Sequence, residues 1–242
     1  VATVTDELCH TVVPGRTVGL LCGPGDHVVD IPGPRPDVQQ VVADAFHWWG
    51  VSELPAGDGP IVAMIDSATA AAAVAPGPLT LLEAYRLLGQ QPHLVVVELS
   101  GAELTAALEE AIAAGILDDA AARSAYPHTS GLRWSPDLTG PERRRVGPIE
   151  VLAGEAGDGQ QRWEPIDPAA RYRVITTDLL TGPASPHETI REATEAGRAT
   201  ITTVGGAEVL VDYVDRVLGG VVEPPNWPTP GAGSTRPQDD GS

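Results

Sequence analysis

The hydrophobic positions along the chain alternate between two patterns, one typical of strands and one typical of helices. Continuous apolar runs over 60–66 and 94–99 predict buried strands of a sheet, and 171–177 is a further candidate strand. Further strands are predicted over 131–134, 146–152 and 200–204, and helices over 34–50, 80–88, 101–112, 186–196 and 207–218. This mixture, with long loops between the elements, predicts an α/β or α+β fold in which helices flank a mixed sheet.

Local signals mark the ends of several predicted helices. The stretches TLLE at 80–83 and SGAE at 100–103 have the spacing of capping boxes, in which the first side chain caps the helix and the glutamate reaches back. The first helix is predicted to start at PRPD (34–37) and to end at Gly50. Its apolar face comprises Val38, Val41, Val42, Ala45 and Phe46.

The chain divides into three predicted parts. Residues 1–31 form a β-hairpin lead-in, residues 32–222 form the main domain, and residues 223–242 form an irregular Pro/Gly-rich tail without periodicity. Since the first residue is Val1 and no signal-like segment precedes it, we expect either a processed leader or a piece of a longer product.

Both cysteines lie in the lead-in. If Gly15 and Arg16 form a two-residue hairpin turn, Cys9 falls directly opposite Cys22. Cross-strand Cα distances of about 4.5–5.5 Å suit a disulfide. We therefore predict a Cys9–Cys22 disulfide in an exported or extracellular protein, with two buried thiols in a cytosolic hairpin as the alternative.

The net charge of the chain limits the classes of partner that it can bind. Its 242 residues contain no lysine, so 15 arginines face 33 acidic residues and the formal net charge is −18. Nucleic acids and anionic membranes require a basic surface, and no apolar run approaches the roughly 18 residues that span a bilayer. We expect no nucleic-acid binding and no membrane insertion. The expected partners are other proteins or further copies of the chain.

Five stretches of the chain, taken in order, carry family-like motifs. They are VVADA (41–45), IVAMID with PGPLT (61–66 and 76–80), LVVVELSGAEL (94–104), SGLRW (130–134), and WEPIDP with YRV (163–168 and 172–174). Together they resemble the C-terminal domain of the 5′-nucleotidase family, the exported metallophosphatases that include UDP-sugar hydrolase and ecto-5′-nucleotidase. The resemblance implies the fold of that domain over most of the segment 32–218.

The same resemblance implies that the substrate-binding residues are missing. Where the family has N-x-G-G-I-R, whose arginine helps to hold the nucleotide, this chain has DSATAAA at 66–72. The family's P-F, whose phenylalanine stacks on the base, falls at Gly89-Gln90, and GPASP at 182–186 replaces G-G-D-G-[FY]. Alanine cannot replace the charge-assisted contact of an arginine with an anion.

Catalysis in this family comes from an N-terminal metallophosphoesterase domain with D-x-H and G-N-H-[ED] motifs. Neither motif occurs here, and the six histidines are scattered singly. A two-metal centre needs clustered carboxylates and histidines. We therefore predict no catalytic residue, no metal site and no cofactor on this chain.

A few residues remain as candidates for ligand binding. Arg133 and Trp134 are adjacent and could bind an anion with cation–π support, or form a strand with a core tryptophan. Trp48 could offer an aromatic platform or pack in the core, and Asp66 ends a predicted strand, where sites often lie in α/β sheets. The basic run 143–145 is expected to close a loop by pairing with nearby carboxylates.

Three functions stay open at this point. The favoured one is a non-catalytic structural or interaction module that is secreted or carried on a cell or virion surface. The second is the C-terminal domain of a bipartite, metal-dependent 5′-nucleotidase-type hydrolase. The third is a stand-alone module that binds a nucleoside or a nucleotide sugar through a tryptophan.

Overall fold

A five-stranded mixed sheet forms the centre of the fold. The computed structural model describes residues 2–5, 7–12, 19–22, 27–29, 38–57, 59–70, 73–116, 125–155 and 160–222. The described strands are β1 (Ala2–Val4), β2 (His10–Val12), β3 (Gly19–Cys22), β4 (His27–Val29), β5 (Ile61–Asp66), β6 (Gly77–Leu79), β7 (His93–Ser100), β8 (Pro127–Ser130), β9 (Leu132–Arg133), β10 (Glu150–Glu155), β11 (Gln161–Pro165), β12 (Arg171–Thr177), β13 (Ala199–Gly205) and β14 (Val221–Val222). The described helices are α1 (Val38–Glu53), α2 (Leu81–Leu87), α3 (Gly101–Gly115), α4 (Asp178–Thr181), α5 (Glu188–Glu195) and α6 (Gly206–Arg216), with a 3₁₀ turn at Ser67–Thr69.

The central sheet has the strand order β13-β7-β12-β5-β8. Strand β12 runs parallel to β5 and antiparallel to β7, and β7 and β5 pair antiparallel with β13 and β8. Successive side chains of a strand point to opposite faces, so Val174 and Ile175 belong to different core clusters. Helices α1, α2 and α6 cover one face and α3 and α5 cover the other, which confirms the predicted mixed sheet with flanking helices.

Both predicted helix starts are confirmed, with a complete capping box at Ser100 and a side-chain cap alone at Thr80. The Ser100 hydroxyl accepts a hydrogen bond from the backbone N–H of Glu103, whose carboxylate accepts one from the backbone N–H of Ser100 at 2.8 Å. The Thr80 hydroxyl accepts one from the backbone N–H of Glu83 at 3.2 Å. These bonds satisfy backbone donors that have no partner within the helix.

The predicted end of the first helix at Gly50 is wrong, because α1 continues to Glu53. A Cβ atom at position 50 would lie 2.7 Å from the Ile175 side chain and 2.9 Å from that of Ile61. Gly50 therefore allows α1 to lie close against β5 and β12, and this packing offsets the helix penalty of glycine, which is roughly 1 kcal/mol.

Strand boundaries are less well predicted in the second half. The strand predicted over 146–152 is displaced to Glu150–Glu155, because Pro148 cannot donate to a ladder and the preceding residues close a loop. The sequence pattern does not predict β11, whose residues are mostly exposed and therefore form no apolar run.

The register predicted for the cysteine hairpin is present. His10 pairs with Leu21, Thr11 with Leu20 and Val12 with Gly19, and one further step places Cys9 opposite Cys22. The side chain of Cys22 and the turn at Gly15-Arg16 lie outside the described residues, so the disulfide stays a prediction.

The start of the chain also joins the main core. Strand β1 pairs in parallel with β14 and antiparallel with β6, and Ala2, Val4 and Leu8 are buried in the same cluster as α1. The predicted tail 223–242 lies outside the described residues. Within the described part of the chain, no helix is both long and apolar enough to cross a membrane.

Candidate functional site

One edge of the central sheet collects the ends of its strands, and we call it the carboxyl edge. Here β5, β12 and β13 end and β7 and β8 begin, as the pairs Asp66–Pro127, Thr177–Leu94 and Gly205–His93 show. The 3₁₀ turn, α4 and α6 start at this edge. In open α/β sheets such an edge is where ligands bind.

Asp66 closes the turn that follows β5. Its Oδ1 accepts hydrogen bonds from the backbone N–H of Thr69 at 2.9 Å and from the Thr69 hydroxyl at 2.7 Å. Burial raises the pKa of Asp66 to about 6, and the bonds from Thr69 oppose that shift. The carboxylate is thus committed to its own turn instead of facing a ligand.

The sign of this pKa shift determines its effect on stability. Folded Asp66 keeps its proton to higher pH than unfolded aspartate, whose pKa is 3.8. The contribution of this proton to stability is complete below about pH 4 and is lost as pH rises through about 6.

Ser67 and His128 form a buried pair at the same edge, which the sequence did not single out. The Ser67 Oγ lies 3.0 Å from His128 Nε2 and 3.2 Å from the carbonyl oxygen of Tyr126, to which it donates. Both side chains are 3% exposed. The pair joins β5 to β8 and is shielded from solvent, so it has no access to a substrate. Only the tertiary pairing of β5 and β8 brings these residues together.

His93 and Asp178 face each other where β7 begins and β12 ends. The backbone N–H of His93 donates to Asp178 Oδ1 at 3.1 Å, and His93 Nδ1 lies 3.4 Å from Asp178 Oδ2. Both side chains are partly exposed. A contact between side chains this exposed contributes little to stability.

The candidate residues Arg133 and Trp134 point to different partners. Trp134 is 5% exposed, and its indole N–H donates to the Thr129 hydroxyl at 2.9 Å, as expected of a core tryptophan. The guanidinium of Arg133 stacks instead on Trp163, 4.0 Å from the ring centroid. The cation–π contact thus joins the SGLRW and WEPIDP motifs across the sheet of β9, β10 and β11.

Trp48 and Asp66 lie apart from that contact in the fold. Trp48 is on α1, half-buried, with its ring centroid 5.9 Å from that of Tyr213 on α6. Trp48 thus lies on α1, Asp66 at the end of β5, Arg133 in β9 and Trp134 just after β9. Among the described contacts, none joins Trp48 or Asp66 to Arg133, so the four candidates do not form one site there.

The basic run 143–145 closes a loop, but through its backbone. The Glu109 carboxylate of α3 accepts hydrogen bonds from the backbone N–H of Arg145 at 2.8 Å and of Val146 at 2.9 Å. The guanidinium of Arg145 donates to the carbonyl oxygen of Gly140. The loop is therefore held by the Glu109 carboxylate and two backbone N–H groups, and not by arginine side chains paired with carboxylates. Arg143 and Arg144 are exposed.

The described residues offer no ready metal site. Within these ranges no group of three or more His, Cys, Asp or Glu side chains could hold a metal ion. A shallow groove of about 450 Å³ lies between α2 and residues 73–79; it is largely apolar and has the Glu83–Arg86 ion pair in its lining.

Comparison with known proteins agrees with the motif resemblance. The family model described as the C-terminal domain of 5′-nucleotidase matches residues 34–184, more than half of the chain. A probable 5′-nucleotidase of Treponema pallidum (strain Nichols) is 30% identical over 163 residues, which are 65% of this chain and 26% of that protein. The NAD 5′-nucleotidase of Haemophilus influenzae is 29% identical over 117 residues, 48% of this chain and 18% of that protein.

Solved structures show the same fold. The 5′-nucleotidase precursor of Thermus thermophilus has a TM-score of 0.68 at 23% identity, covering 92% of this chain and 37% of that one. The NAD nucleotidase of Haemophilus influenzae has a TM-score of 0.68 at 21% identity, covering 92% of this chain and 36% of that one. This chain thus spans about a quarter or less of the curated relatives. It belongs to the 5′-nucleotidase C-terminal domain family.

Proposed function

We propose that this chain is a non-catalytic structural or interaction module built on the 5′-nucleotidase C-terminal fold. The observation that carries the proposal is the carboxyl edge, where polar side chains bond to the fold itself. Asp66 caps its own turn, Ser67 bonds to His128 and Tyr126, and Asp178 bonds to His93. A domain selected to bind substrate would present such groups to the ligand.

Electrostatics also favour this role over nucleotide binding. The segment after β5 contains no arginine, and two carboxylates, Asp66 and Asp178, lie at the edge where a phosphate would have to approach. The chain as a whole carries a formal charge of −18. A phosphate-bearing ligand would meet repulsion there without a compensating bidentate contact.

A second function is compatible with the comparisons. The curated relatives are named 5′-nucleotidases and are several times longer than the matched segment. The chain could therefore serve as the C-terminal domain of a bipartite, metal-dependent hydrolase whose catalytic domain lies on another segment. In that case the carboxyl edge would face substrate held by the other domain.

Export is part of the proposal. The related Thermus thermophilus structure is described as a precursor, and a Cys9–Cys22 disulfide would be stable only outside a reducing cytosol. We propose a location on a cell or particle surface, with contacts to other proteins or to further copies of the chain and without a cofactor.

Nucleotide titration tests the proposed function. We expect no saturable change in tryptophan fluorescence when the purified chain is titrated with AMP or UDP-glucose to millimolar concentration, because the segment after β5 contains no arginine and Asp66, Ser67 and Asp178 bond to the fold itself. We also expect no phosphate release from AMP with added manganese or zinc. Saturable binding of either ligand would support the binding-module function instead, and hydrolysis by the chain alone would overturn the proposal.

Removal of both cysteines tests whether a disulfide stabilises the lead-in, residues 1–31. We expect the C9S/C22S double variant to lose about 3 kcal/mol of unfolding free energy, because a cross-link that closes a loop of about 14 residues restricts the unfolded chain. Denaturant titration of the variant and of the reduced parent protein measures the loss. Reaction of both thiols with a labelling reagent in the unreduced parent protein would contradict the disulfide. The control variant is V51A, which changes an exposed side chain of α1 and should leave the free energy of unfolding nearly unchanged.

A further inference from the structure

The side chain of His187 is buried without a hydrogen-bond partner. Its exposed fraction is 0%, and neither ring nitrogen has a partner among the described residues. Leaving a buried polar group unpaired costs about 1–3 kcal/mol. An apolar side chain would fill the same space at lower cost, so packing alone does not account for a histidine here.

His187 is the N-cap residue of α5. It is the last residue before α5, at the end of the connection 182–187 that starts after α4. Its backbone N–H donates to the Ser185 hydroxyl at 3.2 Å and its carbonyl oxygen accepts from the N–H of Arg191 at 3.0 Å, while the side chain makes no cap. His187 therefore lies at the junction between the connection 182–187 and α5, and its ring is 0% exposed while α5 is docked.

Helix α5 has only eight residues and packs against α3, β7 and α4. It buries Ile190 and Ala193, and Thr189 bonds through its N–H and hydroxyl to the Glu110 carboxylate of α3 at 2.9 and 2.6 Å. The N–H of Arg198 returns to the carbonyl oxygen of Ala193. A short helix with so small a buried surface can open locally at lower free energy than the whole sheet.

The charged groups on α5 and on the elements around it do not pair with the His187 ring among the described residues. They are Glu103, Glu109 and Glu110 on α3, Asp178 on α4, His93 and Glu98 on β7, Glu188, Arg191, Glu192 and Glu195 on α5 itself, and Arg198 after it. The α3 carboxylates bond to Arg198, to the loop amides at 145–146 and to Thr189, and Asp178 bonds to His93. Within the described residues, none forms a hydrogen bond or ion pair with the His187 ring.

We propose that His187 acts as a proton-sensitive latch, in which protonation of the ring releases α5 and the connection 182–187 while the central sheet stays folded. Among the described residues a charged imidazolium has no acceptor in the docked position, but it gains water once α5 moves away. Release of the connection would uncover the part of the carboxyl edge beside α4.

The pH window follows from the folded and unfolded states of this histidine. Burial lowers the pKa of His187 to about 4 from 6.5. The opened form, with the ring in water, therefore binds the proton first, and docking weakens as pH falls from about 6.5 towards 4. Between pH 7.5 and pH 5 the opening equilibrium of α5 should rise by about 30-fold.

Hydrogen exchange at the α5 amides tests the latch in the intact chain. After correction for the intrinsic pH dependence of exchange, we expect the 30-fold rise in the parent protein and a rise below about threefold in H187Q. H93Q, which alters an exposed histidine bonded to Asp178, should behave as the parent protein does. H47Q is a second control, because burial also lowers the pKa of His47, to about 4, but His47 lies on α1, away from α5.

Two results would overturn the latch. One is an H187Q variant whose α5 amides show the same rise as the parent protein. The other is parallel exchange of the β7 and β12 amides, which would mean global unfolding. If H187Q does not fold, an NMR titration of the His187 imidazole in the parent protein decides the matter: the folded signal should not titrate above pH 5, and titration near 6.5 would contradict the proposal.

Discussion

Replacing Phe46 with alanine is expected to lower the free energy of unfolding by about 4 kcal/mol, because the ring fills the core between α1 and α6. Phe46 is 0% exposed, and a Cβ atom at Gly206 would lie 2.9 Å from its Cζ. Alanine would remove buried apolar surface and leave a cavity that this closely packed contact cannot close. In a domain of this size the midpoint of thermal unfolding should fall by about 10 °C.

Urea denaturation followed by circular dichroism measures the effect of Phe46→Ala. The matched control is V51A, which also shortens a side chain of α1 but at a position that is 58% exposed. Its unfolding free energy should stay within about 0.5 kcal/mol of the parent protein. A loss below about 1 kcal/mol in F46A would show that this side of the core rearranges and that the contact between α1 and α6 is not tight.

Gly101→Ala is expected to cost about 4 kcal/mol although alanine is the better helix former. A Cβ atom at position 101 would lie 2.2 Å from the carbonyl oxygen of Asp167, a backbone atom that cannot rotate away. The segment before β12 would have to shift, which would weaken the bonds from Gly101 N–H to Ala170 and from Ala102 N–H to Pro168. Overpacking of about 2–3 kcal/mol and two bonds of about 1 kcal/mol each give the total.

Gly182→Ala provides the matched control for Gly101→Ala. Its φ is −72°, which any residue adopts, and no atom lies closer than 3.4 Å to the added Cβ. Denaturant titration should place this variant within about 1 kcal/mol of the parent protein. An equal loss in both variants would indicate a general effect of glycine replacement and would contradict the close approach of α3 to the segment before β12.

The contact at Gly101 also gives a structural reason for the family motif in which it lies. In SGAE (100–103), serine and glutamate form the capping box, glycine admits the segment before β12, and Glu103 bonds to Arg198 at 2.8 Å. The Arg198 partner holds the pKa of Glu103 at about 2, below its usual range. The motif thus describes scaffold contacts, and its presence indicates the fold without indicating a ligand.

The SGLRW motif has a comparable structural basis. Gly131 has a φ of +77°, and a side chain there would meet the His47 ring at 2.7 Å. Arg133 stacks on Trp163 and Trp134 bonds to Thr129. Of the two alternatives left open for Trp134, the structure shows the core tryptophan. The aromatic partner of Arg133 lies in β11, in a motif far along the chain.

The sequence by itself determined the features that depend on neighbouring residues: the helix caps at Thr80 and Ser100, the strands β5, β7 and β12, and the hairpin register that places Cys9 opposite Cys22. These rest on hydrogen bonds and side-chain periodicity within a few residues. Only the tertiary structure decided the strand order, the continuation of α1 through Gly50, the Ser67–His128 pair and the burial of His187. Each of these depends on which distant surfaces pack together, and a local pattern carries no information about that.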